Sequence, residues 1–155
     1  MENGTVELRV RGVSMEKDEA IVILEDRLTD RRILLPVGPF EASAIILEIE
    51  GISPPRPLTH DLLAEFFEEG GFSLDAAELR GETDSVPRAR LSYKKGLRKF
   101  VKEVRPSDAI ALALKLGAPL RVETSFLERQ SKISDRWRRP RILGLEDWKA
   151  KALRA

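Results

Sequence analysis

Apolar and polar residues alternate in several short segments of the chain, and this alternation is the pattern of half-buried β-strands. Near the start, Leu8 and Val10 alternate with Arg9 and Arg11. The other segments are short and rich in aliphatic residues, and turn residues separate several of them. The predicted strands cover residues 7–13, 20–24, 33–37, 72–79, 88–93, 100–104 and 120–123.

Three segments have the spacing of apolar positions that predicts amphipathic helices. They cover residues 40–50, 59–69 and 106–116, and a glycine follows each of them. Thr59 and Ser107 are the predicted N-caps of the second and third helices, because a hydroxyl side chain can accept a free backbone N–H there. The second helix is expected to bury four apolar side chains, Leu62, Leu63, Phe66 and Phe67.

The order of these elements predicts the fold class. Three strands and a helix are followed by a second helix, and then by three strands and a helix again. Strands that come in groups of three, rather than alternating with helices, favour an α+β fold with a mixed, largely antiparallel sheet and helices packed against it. The pattern leaves open whether the sheet is barrel-like and whether the chain is a duplicated strand-strand-strand-helix unit.

Composition places the chain among soluble globular proteins. Of its 155 residues, 34% are charged and 42% are hydrophobic, which suits one domain with a core of ordinary size. The absence of cysteine excludes disulfides, thiolate nucleophiles and cysteine-based zinc sites. No apolar stretch is long enough to span a bilayer and the N-terminus lacks a signal-peptide pattern, so a cytoplasmic protein without a membrane partner is expected.

The charged residues are distributed unevenly, and this suggests that the chain has two parts, a domain over residues 1–128 and a basic tail over residues 129–155. Residues 1–128 carry 18 Lys and Arg against 23 Asp and Glu, whereas residues 129–155 carry 9 against 3 and contain Trp137 and Trp148. A basic tail with tryptophans can bind a nucleic-acid backbone and stack on bases. The alternative is a C-terminal helix that docks on the acidic body through its tryptophans.

Candidate chemistry is concentrated at the predicted helix starts. Arg56 and Arg105 each precede a proline and have the planar fork that grips phosphate. His60 is the only histidine of the chain, and an imidazole can act as general acid or base. Thr59 and Ser107 are candidate substrate contacts. Three carboxylates are candidate ligands of Mg²⁺ or Mn²⁺ if the fold brings them together: Glu41, Asp61 and Asp108.

The same residues also describe ordinary helix starts. A hydroxyl residue is a common N-cap, an acid in the first turn favours the helix dipole, and a proline fixes the entry of the chain. This explanation accounts for the proline, hydroxyl and acidic positions. The arginines can pair with those acids, but a helix start does not require an arginine in both segments, or a histidine between Thr59 and Asp61.

Three segments, taken together and in order, resemble the bifunctional nuclease (BFN) domain family over about residues 5–125. The segments are Leu35-Pro36-Val37-Gly38-Pro39-Phe40-Glu41-Ala42, Arg56-Pro57-Leu58-Thr59-His60-Asp61-Leu62-Leu63 and Arg105-Pro106-Ser107-Asp108-Ala109-Ile110-Ala111-Leu112-Ala113. The resemblance implies a small α+β domain, commonly dimeric, with nuclease activity on DNA and RNA ascribed to some members. Its polar motif residues fall on Glu41, Arg56, Thr59, His60, Asp61, Arg105, Ser107 and Asp108.

Two functions follow as hypotheses. The first is a nuclease that hydrolyses phosphodiester bonds of DNA or RNA. The second is a non-catalytic dimeric module that binds a phosphate-bearing ligand, nucleic acid or a protein. In either case a homo-oligomer is expected from the resemblance, with a dimer favoured.

Overall fold

The computed structural model describes residues 4–82, 86–134 and 142–152. Its strands are β1 (Thr5–Glu16), β2 (Glu19–Asp26), β3 (Arg32–Val37), β4 (Ser73–Arg80), β5 (Arg88–Lys95), β6 (Arg98–Val104) and β7 (Leu120–Glu123). Its helices are α1 (Pro39–Glu50), α2 (Thr59–Glu69), α3 (Pro106–Leu116), α4 (Thr124–Ser134) and α5 (Leu145–Ala152). Within the described ranges, none of the helices has the length and apolar character needed to cross a bilayer.

The strands form one sheet in the order β3-β2-β1-β7-β4-β5-β6. Every neighbouring pair is antiparallel except β4 and β7, which are parallel. The prediction of an α+β fold with a mixed, largely antiparallel sheet is therefore confirmed. The barrel-like alternative is wrong, since the sheet described here is open and β3 and β6 are its edges. Each group of three strands forms a meander, and β7 lies between the two meanders.

Helices α1 and α3 lie side by side and run in the same direction. Arg105 at the start of α3 contacts Glu41 in the first turn of α1, and Lys115 in the last turn of α3 contacts Glu48 near the end of α1. Both helices bury their apolar faces in one core with the inner face of the sheet, because small alanines allow close approach there. This arrangement places the first turns of both helices together at one end of the pair.

Helix α2 differs from the sequence-based expectation. Of its residues, only Asp61 and Ala64 are buried, and Leu62, Leu63 and Phe66 are 45%, 52% and 63% exposed. The prediction is therefore wrong for these three side chains, whereas Phe67 is partly buried and packs against Phe72 and Tyr93. The helix packs against α3 through a narrow stripe that contains Ala64, so the two leucines and Phe66 remain at the surface.

The helix starts also differ from the prediction. The N-caps are Leu58 and Arg105, and neither Thr59 nor Ser107 caps its helix. In α3, a proline occupies the first position and the extended residue before it becomes the cap, as proline sterics favour. In α2, Asp61 takes over the capping role, since its Oδ2 accepts the Leu58 N–H at 2.8 Å.

The C-terminal segments belong to the same core. Phe126 and Leu127 of α4 are 1% and 0% exposed, and Leu143 pairs with Val13. Trp148 of α5 is only 6% exposed and contributes to the core, so it is not available to stack on a base. Trp148 therefore docks on the body of the protein, as the alternative interpretation of the tail predicted. Trp137 and the arginine-rich run over 136–141 lie outside the described residues.

Trp148 is held by a hydrogen bond that can be tested. Its indole Nε1 donates to Ser43 Oγ at 2.7 Å, and Ser43 Oγ donates to the Pro39 carbonyl at 2.9 Å. We expect Trp148→Phe to lower the free energy of unfolding by about 1–2 kcal/mol, because the ring becomes smaller and the hydrogen bond is lost. Urea unfolding of Trp148→Phe, Ser43→Ala and the double variant gives the coupling energy. Strictly additive effects would show that this hydrogen bond does not stabilise the fold.

Candidate functional site

One ion cluster lies where α1 and α3 begin. The Arg105 guanidinium donates two hydrogen bonds to the Asp108 carboxylate, from Nε to Oδ2 at 2.8 Å and from Nη2 to Oδ1 at 2.9 Å. Its Nη1 donates to Glu41 Oε1 at 3.2 Å. The hydrogen bonds that Arg105 donates to Asp108, and then the charge of Glu41, raise the pKa of Arg105. We call Glu41, Arg105 and Asp108 the Arg105 cluster; its arginine is 66% exposed.

The position of Glu41 depends on the residue before the helix. Gly38 is the N-cap of α1, and Pro39 follows it. A Cβ at Gly38 would collide with the Glu41 carboxylate, whose side chain folds back over the glycine. The glycine therefore leaves room for Glu41 to reach Arg105 on the neighbouring helix.

The second cluster lies at the start of α2, near the ends of α1 and α3. His60 Nε2 is 3.3 Å from Asp61 Oδ1 and 3.6 Å from Glu48 Oε1. Lys115 Nζ is 3.1 Å and 3.5 Å from the same two oxygens. Two cationic or potentially cationic groups thus share two carboxylates. We call Glu48, His60, Asp61 and Lys115 the His60 cluster.

The carboxylate of Asp61 and the ammonium of Lys115 hold each other in their charged forms. Burial acts to raise the pKa of Asp61, but the Leu58 N–H, Lys115 and His60 outweigh it, so the pKa is lowered. The hydrogen bond to Asp61 is the largest cause that raises the pKa of Lys115; burial opposes it, and Glu48 adds to it. Both groups are therefore ionised throughout the neutral pH range.

Two carboxylates face the imidazole of His60. Nε2 is buried and has no hydrogen-bond partner among the described residues, although two carboxylate oxygens lie within 3.6 Å of it. Carboxylate oxygens on this side of the ring favour an N–H group at Nε2.

The His60 cluster also contains the group that best resembles a set of metal ligands. One ligand atom from each of Glu48, His60 and Asp61 lies within 4.8 Å of the others. Mg²⁺ and Mn²⁺ prefer oxygen ligands in near-octahedral geometry. Here the ammonium of Lys115 already lies against both carboxylates, and a divalent cation would have to displace it. The group therefore offers ligand atoms that its own lysine already contacts.

A cavity of about 340 Å³ connects the two clusters; we call it the cleft. His60 and Thr59 line it from α2, and Asp108 lines it from the first turn of α3. Lys102 of β6 is the other charged residue of its lining. Its walls are otherwise formed by Leu63, Phe67, Leu74, Leu91, Tyr93, Val104, Ala111, Leu112 and Leu116.

The structure brings some of the residues singled out from the sequence together and separates others. Thr59, His60 and Asp108 border the cleft. Arg56 is exposed in the link between α1 and α2, and it has no ion pair within the described ranges; Ser107 is at the second position of α3 and partly exposed.

The carboxylates proposed as a metal site lie in different clusters. Glu41 pairs with Arg105, whereas Asp61 pairs with Lys115 in the His60 cluster. Glu41 and Glu48 are seven residues apart on α1, which corresponds to a rise of roughly 10 Å along the helix. Glu41, Asp61 and Asp108 therefore do not form one ligand group.

Three residues of the site were missed by sequence reasoning: Glu48, Lys102 and Lys115. Glu48 lies two turns after Glu41 on the same face of α1, and this spacing was visible in the sequence. Lys115 in the last turn of α3 has the position of an ordinary dipole-compensating cation. Its contacts with α1 and α2 arise only from packing.

Comparison with known proteins identifies the family of the chain. A family model described as the bifunctional nuclease domain matches residues 22–135, a range that includes both clusters and the cleft. Two uncharacterised proteins from two strains of Mycobacterium tuberculosis are each 34% identical over 123 residues, which is 78% of this chain and 73% of theirs. The resemblance that the three motifs indicated is confirmed, and the chain belongs to the bifunctional nuclease domain family.

Proposed function

We propose that this protein is a nuclease and that single-stranded RNA is the substrate that suits its candidate site best. The observation that carries the proposal is the placement of His60. It lines the cleft, and its Nε2 lies 3.3 Å and 3.6 Å from carboxylate oxygens of Asp61 and Glu48. Family membership favours chemistry on nucleic acid. The net positive charge of residues 129–155 also favours contact with a phosphate backbone.

The chemistry of the His60 cluster favours RNA over DNA. RNA carries its own nucleophile, the 2′-hydroxyl, and needs only a base to remove its proton. His60 accepts that proton, and the 2′-oxygen attacks the adjacent phosphorus. The bond between phosphorus and the 5′-oxygen breaks, the 5′-oxygen takes a proton from water, and His60 returns its proton to the solvent. The products are a 2′,3′-cyclic phosphate and a 5′-hydroxyl. No step of this reaction uses a divalent cation, in agreement with the lysine that fills the only candidate ligand group of the described ranges.

Two cations are available to a phosphate, one in the lining of the cleft and one in the link that leads into α2. Lys102 lines the cleft, and Arg56 is exposed just before α2. Arg105 is also exposed, but Asp108 and Glu41 already occupy its guanidinium. A phosphate at Arg105 would have to compete with these carboxylates, so we assign the main phosphate contacts to Arg56 and Lys102.

A cleavage assay tests the proposal. Purified protein is incubated in excess EDTA with end-labelled single-stranded RNA, single-stranded DNA of the same sequence, and the RNA duplex. We expect only the single-stranded RNA to be cut, and its products to end in a 2′,3′-cyclic phosphate. Complete dependence on a divalent cation, or equal cleavage of DNA, would contradict the proposed chemistry.

Two arginine variants show whether the RNA cleavage comes from this protein or from a contaminating nuclease. We expect Arg56→Met to raise KM about tenfold, because a charge-assisted phosphate contact is lost. Arg27→Met is the control, since Arg27 is also exposed (59%) but pairs with Glu7 of β1 and lies outside the segment that leads into α2. If both variants cleave with the kinetics of the wild type, Arg56 does not bind the substrate.

A non-catalytic dimeric binding module is the second candidate function. Two observations favour it: the pairing of Arg105 within the protein, and the exposed apolar side chains Leu62, Leu63 and Phe66 on α2. Surface apolar groups of this kind are common where proteins associate. Binding of RNA without cleavage, by a protein that sediments as a dimer, would support this function over the first.

A further inference from the structure

We propose that the cleft takes one unpaired base of a single-stranded nucleic acid, with Lys102 at its rim beside the adjoining phosphate. This inference rests on the proposed function and deepens it, because it assigns the part of the substrate that lies next to His60. Four observations support it: the size of the cleft, its apolar walls, its aromatic side chains and the charge of its rim.

The size of the cleft suits a small planar group. Its volume of about 340 Å³ is at the lower end of the range of about 300–1,000 Å³ that is typical of small-molecule sites. A single base fits within this volume, whereas a base inside a duplex presents only its edges and cannot enter without being unstacked. The cleft therefore selects unpaired strands.

The walls suit an aromatic ring. Phe67 and Tyr93 line the cleft from opposite sides of the interface between α2 and the sheet, with ring centroids 5.7 Å apart in an edge-to-face arrangement. Tyr93 is itself stacked on Phe100 at 5.2 Å, which fixes the orientation of its ring. Bases bind to such preformed aromatic and aliphatic surfaces with little dependence on their identity.

The charge of the rim distinguishes a nucleotide from a neutral apolar ligand. Asp108 is already neutralised by two hydrogen bonds from Arg105. Lys102 has no ion pair in the part of the chain that the structure describes, so the rim offers one uncompensated cation. An apolar interior with a single cation at its edge is complementary to a base joined to a phosphate.

Binding of two DNA pentamers tests the position of the base. One is a pentamer of deoxyadenosine, and the other has five abasic sites and the same phosphates. Neither has the 2′-hydroxyl that the proposed reaction requires, so affinity is measured separately from cleavage. By fluorescence anisotropy of end-labelled strands, the wild type is expected to bind the deoxyadenosine pentamer about tenfold more tightly than the abasic one.

Two neighbouring leucines of α2 provide a matched pair of variants. Leu63 lines the cleft and Leu62 does not, and both are about half exposed, so a larger side chain is tolerated at either position. Leu63→Trp fills the cleft and is expected to abolish the preference for the deoxyadenosine pentamer. Leu62→Trp is expected to retain it. Loss of the preference in both variants would instead indicate a contact through the outer face of α2.

A second pair tests the phosphate contact. Lys102→Met is expected to weaken binding of both pentamers severalfold and to reduce the dependence of log Kd on log salt by about one unit. Lys99→Met is the control, because Lys99 is exposed on the same strand and is not part of the cleft lining.

The outcomes separate this inference from the proposed function. Equal wild-type affinity for the two pentamers, or a Leu63→Trp variant that keeps the preference, overturns the base site even if RNA is cleaved. A base preference that Leu63→Trp removes, in a protein that cleaves no RNA, supports the base site and overturns the nuclease proposal. Tm values of all variants are compared with the wild type to show that they are folded.

Discussion

Replacement of His60 by glutamine is expected to lower the rate of RNA cleavage by about 10²- to 10⁴-fold, the range that a general acid or base contributes. Glutamine cannot exchange a proton at neutral pH, yet its amide group lies near the position of Nε2. It can therefore still donate a hydrogen bond to the Asp61 or Glu48 carboxylate that faces His60. The loss should appear in kcat, with KM little changed, because His60 acts on the proton and not on the phosphate charge.

The matched control for His60→Gln is Glu65→Gln. Glu65 is exposed on the same helix and is not part of the cleft lining, so this variant should cleave at the wild-type rate. Initial rates are measured with single-stranded RNA in EDTA, and Tm is measured for both proteins. If His60→Gln is folded and as active as the wild type, His60 is not the general base, and the activity comes from another group or another protein.

Replacement of Asp61 by asparagine is expected to cost about 2–3 kcal/mol of stability at neutral pH. Asparagine keeps an oxygen that can accept the Leu58 N–H, but it removes the negative charge that compensates Lys115 and faces His60. A buried or partly buried cation that loses its partner is costly, although the side chain of Lys115 remains 32% exposed and water reduces the penalty. Urea unfolding at pH 7 gives the difference in the free energy of unfolding.

The effect of Asp61→Asn should depend on pH in a defined direction. The folded protein lowers the pKa of Asp61 below its ordinary value, which is about 3.9 in an unfolded chain. The stability that the carboxylate contributes is therefore fully present above about pH 4 and is lost as the pH falls through the lower, folded-state pKa. The difference between wild type and variant should accordingly shrink in strong acid.

At alkaline pH, the stability that Lys115 contributes changes in the opposite direction. Lys115 has a raised pKa, so its contribution to stability is present below the unfolded-state value of about 10.4 and is lost only as the pH rises through the folded-state pKa.

The control for Asp61→Asn is Asp75→Asn, because Asp75 and Lys94 form an ion pair in which both side chains are well exposed. Such exposed pairs contribute at most about 1 kcal/mol to stability. Equal losses in Asp61→Asn and Asp75→Asn would show that the His60 cluster adds no special stability.

Strands and helix ends could be predicted where the cause is local. The alternation of Leu8 and Val10 with arginines depends only on the two-residue period of a strand, and Gly117 ends α3 in the left-handed conformation that glycine favours. The predicted N-caps were wrong because two local preferences competed. At Ser107 the hydroxyl suggests a cap, but the proline before it fixes Arg105 as the extended residue.

The candidate site could be predicted only in part. His60 and Asp108 were identified from their positions at helix starts, and the structure places both at the cleft. The partners of His60 could not be found in this way. Glu48 and Lys115 come from the last turns of two other helices, and their approach depends on the parallel packing of α1 and α3. A sequence pattern along one element carries no information about such packing.

The short strand β7 has a consequence for how the molecule is built. Leu120 pairs with Leu8 of one meander and with Ala77 of the other, so four residues near the C-terminus join two halves formed from earlier parts of the chain. During synthesis each meander can form from local hairpins, but the centre of the sheet stays incomplete until β7 has been made. Folding therefore ends with contacts between residues more than a hundred positions apart, a feature associated with slow folding. Until then β1 and β4 each present an unpaired edge, where association with a second nascent chain competes with completion of the sheet.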